Sequence, residues 1–233
     1  MLHVRELTVA FGGVRPLDGV SLMLPSGVCG LVGPNGAGKT TLFNVLSGFV
    51  KPAGGGVDAE GTNLLGMAPH RRARWGLRRT FQQEQVVHAL SAYDNVRVTA
   101  DELGGDEAAV REALAFVGLE APERHGGELS MLERRLVEMA KCVVGRPRMV
   151  LLDEPGAGLA EAETERLVHL IRQIPERYDA QVILVDHDME LVSAVCQTTA
   201  VLDFGRVIAL GRTPDVLADD HVRRAYLGTE DVL

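Results

Sequence analysis

Leu7, Val9 and Phe11 alternate with polar or small residues, which predicts a half-buried strand near the N-terminus. Gly12-Gly13 marks a turn, Val20, Leu22 and Leu24 alternate again, and Pro25-Ser26-Gly27 ends the run. This predicts an antiparallel pair. Val28 to Val32 is apolar or small throughout, as in a strand buried on both faces. A Gly-rich loop follows, then helical spacing through Leu42, Val45 and Leu46 that stops near Gly48. Residues 50–66, rich in Gly and Pro, predict short strands and turns; residues 87–145 predict mainly helix. Met149 to Leu152 and Gln181 to Val185 are further buried strands, and Glu163 to Ile174 and Asp188 to Cys196 are helices. Ala200 to Asp203 and Arg206 to Leu210 meet at Phe204-Gly205 as a hairpin, and the tail from Pro214 to Leu227 reads as helix. With no repeat, linker or low-complexity segment, the expectation is one α/β domain over 1–233. It has a mostly parallel core, an N-terminal antiparallel β subdomain and a helical subdomain inserted over roughly 87–145.

Composition narrows the class. The 233 residues are 46% hydrophobic and 24% charged, which excludes a disordered or fibrous chain. A formal net charge of −8 argues against a nucleic-acid partner. The basic run Arg71, Arg72, Arg74, Arg78 and Arg79 reads as a solvated or partner-facing segment. Cys29, Cys142 and Cys196 are odd in number and widely spaced, so buried reduced thiols are expected and a disulfide framework or zinc site is not. Met1 to Phe11 is not a secretory leader, and no window approaches the roughly 20 apolar residues of a membrane span. Any membrane role must come through partners.

Gly33-Pro34-Asn35-Gly36-Ala37-Gly38-Lys39-Thr40 fits G-x-x-x-x-G-K-[ST] between a strand and a helix. Glycines let backbone N–H groups close on phosphate, and the helix N-terminus presents positive potential to the same anion. Lys39 can reach the β- and γ-phosphates, and the Thr40 hydroxyl can ligate Mg²⁺. The loop alone says P-loop NTPase, a class with many reactions. Met149 to Leu152 runs into two acids, and successive strand residues face opposite ways. Asp153 is placed for Mg²⁺ and Glu154 for a general base. His187 follows a buried strand and could contact the γ-phosphate and steady the attacking water, although a lone histidine at a strand end is more often structural than catalytic.

In order, Phe11, the loop at 33–40, Gln82 after Arg79-Thr80-Phe81, Leu129-Ser130, Asp153-Glu154 and Asp186-His187 resemble the nucleotide-binding subunits of ABC transporters across essentially the whole chain. A narrower set is similar to the branched-chain amino acid importer ATPases. It comprises Leu42-Phe43-Asn44, Ser47-Gly48-Phe49, Ala68-Pro69-His70-Arg71, Gly76 to Gln82, Asp203 to Ala209 and Ala225-Tyr226-Leu227-Gly228. The resemblance implies ATP and Mg²⁺ as cofactors. Gly33, Pro34, Asn35, Gly36, Ala37, Gly38, Lys39, Thr40 and Thr41 would hold the nucleotide, with Phe11 stacked on adenine. Thr40, Gln82 and Asp153 would serve the metal. Glu154, Gln82 and His187 would serve the attacking water, His187 as the switch histidine, and Ser130 would reach the ATP of a partner. It also implies a second ABC ATPase subunit, as homo- or heterodimer, paired head to tail. Transmembrane permease subunits, an external solute-binding protein acting indirectly, and a place at the cytoplasmic face of the cell membrane complete the picture.

Two segments depart from the family pattern. The usual Leu-Ser-Gly-Gly-Gln reads Leu129-Ser130-Met131-Leu132-Glu133, without either glycine, and Gly158-Leu159-Ala160 lacks the usual final Asp. Ser130 and Glu133 have the spacing of a capping box. The expectation is an asymmetric pair: an intact site on Lys39 and Glu154, a slower one on Ser130, and a gain in turnover if glycine replaces Leu132. Two other readings remain open, a soluble non-transport ABC ATPase and a low-turnover nucleotide-binding regulatory subunit.

Overall fold

The computed structural model describes residues 1–227; Gly228 of the tail motif lies outside the described residues. Strands β1 (Leu2–Phe11) and β2 (Val14–Leu24) form the expected antiparallel pair. The pair is longer than its alternation suggested, because the register slips between Val4 and Leu7, where Glu6 has φ 45. That irregularity returns Leu7 and Val9 to the face that buries Leu2 and Val4. Phe11 departs from the half-buried pattern: it is 56% exposed at the strand end.

Strand β3 (Val28–Val32) is buried at every position, and helix α1 (Lys39–Ser47) follows the Gly-rich loop. Next come the short strands β4 (Gly54–Ala59) and β5 (Thr62–Asn63), helix α2 (Pro69–Trp75) and strand β6 (Leu77–Arg79). Helices α3 (Ala92–Leu103), α4 (Glu107–Val117) and α5 (Met131–Val143) pack on one another. The chain continues through β7 (Met149–Asp153), α6 (Glu161–Tyr178), β8 (Gln181–Val185) and α7 (Met189–Val195). It ends with the hairpin β9 (Thr198–Asp203) and β10 (Arg206–Arg212), then helices α8 (Thr213–Ala218) and α9 (Asp220–Leu227).

One sheet runs β2-β1-β4-β5 and is antiparallel; the other runs β10-β9-β3-β8-β7-β6, parallel except at β10. The parallel sheet has an apolar core on each face. Val150, Leu152, Val182 and Leu184 face the core shared with α3 to α7. Met149, Leu151, Ile183 and Val185 face the core filled by α1 and the antiparallel sheet. Period-two alternation therefore puts Asp153 on the α1 side.

The basic run, read as a solvated or partner-facing segment, is solvated only in part. Arg71 and Arg74 are exposed, but Arg72 and Arg78 are buried. Arg72 donates to the carbonyls of Val45, Leu46 and Met67, and Arg78 to those of Ala73 and Leu77. Guanidiniums thus satisfy carbonyls at the C-terminal ends of α1 and α2. All three cysteines are free and buried; burial pushes the thiol of Cys29 up to about 11 and that of Cys142 up to about 12. Among the described residues, no helix is long and apolar enough to cross a membrane.

Candidate active site

The site lies beyond the C-terminal ends of four neighbouring parallel strands, β3, β8, β7 and β6, where open α/β sheets place ligands. β3 leads into the Gly-rich loop. Gly33 has φ 151, and a Cβ there would meet the Leu202 carbonyl oxygen at 2.1 Å; Gly38 has φ 109, and its Cβ would meet the Pro16 carbonyl oxygen at 2.3 Å. The loop therefore threads between β9 and β2 with no room for side chains at those two points. Lys39 Nζ folds back onto the carbonyls of Gly33 and Pro34, the latter at 3.0 Å. Helix α1 has no side-chain N-cap and no acid in its first turn, so its terminal N–H groups and positive end are left for an anion. Asn35, Gly36 and Thr40 are exposed beside them, and Pro34, Lys39 and Thr41 are half-buried. Burial pulls the Lys39 ammonium below its ordinary pKa, and the charges of Glu154 and Asp153 oppose that pull.

The two acids at the end of β7 occupy different environments. Asp153 is 4% exposed; Arg79 Nη2 donates to its Oδ2 at 2.9 Å, and its own N–H donates to Thr80 Oγ1 at 2.9 Å. Burial pushes the Asp153 carboxyl up, and Arg79 holds it down. Glu154 stands at φ 49, in the left-handed region, with its N–H bonded to the Val185 carbonyl at 2.8 Å. Its carboxylate meets Gln82 Nε2 at 3.4 Å and lies 3.9 Å from His187 Nδ1. The structure thus brings Glu154, Gln82 and His187 together from three strand ends. His187 is 69% exposed, and the backbone around it is set by Asp186 Oδ1, which accepts the N–H groups of His187 at 2.8 Å and Asp188 at 3.0 Å. A carboxylate flanked by an amide and an imidazole, near a phosphate loop, can position a water and take its proton.

Arg79, Asn44 and Thr80 were not among the predicted site residues. Arg79 Nη1 donates to Asn44 Oδ1 at 2.7 Å, so one buried guanidinium joins α1, β6 and β7. The visible signal was an arginine directly before Thr80-Phe81-Gln82. The loop beyond Gln82 is bound to α5 by Arg134–Glu84 at 2.8 Å, by the Gln85 N–H on Glu138 at 3.0 Å and by Lys141 on the Gln85 carbonyl at 2.7 Å. An apolar cavity of about 370 Å³ opens beside it, with Phe49, Pro69 and Phe81 on the α1 side and Val98 and Leu103 on α3. Phe49 is 60% and Val98 54% exposed.

Ser130, the N-cap of α5, is committed to its own helix. Its hydroxyl accepts the Glu133 N–H at 3.2 Å and its N–H donates to Glu133 Oε2 at 2.7 Å. The other carboxylate oxygen of Glu133 pairs with Arg124 Nη1 at 2.5 Å.

A family model described as ABC transporter matches residues 17–157, a span containing the phosphate loop and the acid pair. The chain belongs to the ABC transporter family. An ABC relative from Pseudomonas aeruginosa, the high-affinity branched-chain amino acid transport ATP-binding protein BraF, is 35% identical over 98% of both chains. LivG of Escherichia coli, of the same description, is 34% identical over 98% of both. The lipopolysaccharide export system ATP-binding protein LptB of E. coli is 33% identical, again over 98% of both. Among solved structures, the ADP conformation of the ATP-binding cassette MJ1267 superposes with a TM-score of 0.88, at 27% identity and 98% coverage of both chains. This ABC subunit is accordingly an ATP hydrolase of a transporter, with the cassette fold.

Proposed function

We propose that the chain is the energy-coupling subunit of an ABC importer for branched-chain amino acids or a related small solute. It works at the cytoplasmic face of the membrane, held by permease subunits and paired head to tail with a second ABC ATPase. The observation that carries the transport reading is the apolar cavity beside Gln82, rimmed by exposed Phe49 and Val98. Exposed apolar side chains gathered at one groove mark a docking surface. The similarity to BraF and LivG supports amino-acid import. LptB is almost as similar, so direction and solute rest on the narrower motifs at 42–49 and 68–82.

In this reading the loop 33–41 binds the phosphates, Lys39 and the α1 N-terminus supply positive potential, and the exposed ring of Phe11 stacks on adenine. Glu154 takes the proton of the attacking water, which Gln82 and His187 orient. Asp153, Thr40 and Gln82 offer the hard oxygen donors that suit Mg²⁺. When bound, the ion supplies charge neutralisation on the phosphate oxygens.

A tagged pull-down from detergent-solubilised membranes tests the reading. Two multi-span subunits and a second ABC ATPase are expected; soluble partners alone would overturn it. Val98→Asp places a charge in the groove and is expected to cut permease recovery at least about tenfold, a loss of about 1.4 kcal/mol. Its melting temperature is expected to stay near the parent's, since exposed substitutions cost within about 0.5 kcal/mol.

To the bulk of Leu132 we add a second cause for the proposed asymmetric pair. Leu132 packs in part against the core, so replacing it with glycine would remove packing as well as bulk. The second is the Glu133 carboxylate, half-buried and held in its charged form by the Ser130 N–H and Arg124, at the helix end that this reading turns toward a partner's phosphate. Glu133→Gln keeps the capping box and removes the charge. It is expected to raise turnover of the assembled pair about two- to fivefold, the worth of one charge at a helix terminus. Unchanged or lower turnover would count against the asymmetric pair.

A further inference from the structure

Arg79 bonds through both terminal nitrogens of its guanidinium, while its buried Nε has no hydrogen-bond partner among the described residues. Its side chain is 5% exposed, pairs with Asp153 at 2.9 Å, and donates to Asn44 Oδ1 at 2.7 Å and Ser47 Oγ at 3.4 Å. Its guanidinium carbon lies 5.0 Å from the ring centroid of Phe81 and 5.4 Å from that of Phe43. The Phe81 ring in turn sits 6.0 Å from that of Phe49, and both rings, with Arg79 itself, line the apolar groove. One planar cation therefore touches the Asp153 carboxylate at one end and a wall of the groove at the other. A guanidinium can do both at once because its edge donates while its face stacks.

We infer that Arg79 is a positioning residue that ties the apolar groove to Asp153, so that occupation of the metal-binding acid and the shape of the groove change together. The inference rests on the proposed role of Asp153 toward Mg²⁺. A simple buried ion pair would fasten β6 to β7 without making the groove respond to the metal. Linkage requires the response to run both ways: whatever settles Asp153 must be felt at the Phe49–Phe81 wall.

The test uses the full chain and a non-hydrolysable ATP analogue. Val98→Cys carries a bimane dye on the groove rim, and the three native thiols are buried and resist labelling. The parent is expected to bind the analogue about tenfold more tightly with Mg²⁺ than without, and to shift bimane emission only when Mg²⁺ is present. Arg79→Met is expected to keep Mg²⁺-free binding and lose both Mg²⁺ effects. Arg79→Lys retains the charge but not the stacked fork, and is expected to keep a weakened affinity effect and no emission shift. It protects the test against a Met variant that does not fold. Both Mg²⁺ effects intact in either variant would overturn the inference, as would a parent whose emission ignores Mg²⁺. Analogue binding that is itself indifferent to Mg²⁺ in the parent would instead defeat the role given to Asp153.

Discussion

Glu154→Gln is expected to abolish repeated ATP turnover while leaving nucleotide binding intact. The two carboxylates at the end of β7 differ in what surrounds them. Asp153 is buried and fixed by Arg79, whereas Glu154 accepts from Gln82 Nε2 at 3.4 Å and lies 3.9 Å from His187 Nδ1, with no guanidinium pairing with it among the described residues. The amide is nearly isosteric, so it preserves the backbone bond to Val185 and the contact region of Gln82. What it removes is the capacity to accept a proton. Loss of a positioned general base costs about 10²- to 10⁴-fold in rate. Phosphate release at steady state and equilibrium binding of a fluorescent ATP analogue, measured on one preparation, check both halves. Parental turnover in the variant would take Glu154 out of the chemistry.

Gly38→Ala is expected to destroy nucleotide binding through the backbone. The new Cβ would stand 2.3 Å from the Pro16 carbonyl oxygen and 2.9 Å from Leu17 Cδ2, at φ 109. Strain at such a φ costs about 1–3 kcal/mol, and overpacking costs about 1–3 kcal/mol more. The loop must shift away from β2, carrying Lys39 with it. Gly36→Ala is the matched control: its φ is 80, but nothing lies within 4 Å of the added atom. A lower melting temperature and lost analogue binding at position 38, against a mild effect at position 36, is the expected pattern. Equal behaviour of the two would show that close packing does not set the loop.

Much of this was legible because buried parallel strands and a phosphate loop write themselves plainly in sequence. Val28–Val32, Met149–Asp153 and Gln181–Val185 are continuous runs with turn signals around them, and all three stand where their patterns put them. The strand β6 was not legible, since Leu77-Arg78-Arg79 shows a charged face where a core strand should be apolar. Only the folded chain reveals the carbonyls and the carboxylate that take those charges inside. Helix α2 was missed for a related reason: seven residues with one guanidinium turned inward leave no apolar stripe to count. The contacts among Glu154, Gln82 and His187 join residues 72 and 33 apart in the chain, and no local pattern encodes such a meeting.

The backbone of Glu154 has a wider consequence. A φ of 49 is comfortable for glycine and tolerable for asparagine, but a glutamate there is held against its preference by the Val185 carbonyl and the neighbouring strand ends. Fold stability and chemistry therefore ask for different residues at one position. A sequence optimised for thermal robustness alone would drift away from glutamate at 154, and a cassette improved in that way would be better folded and inert.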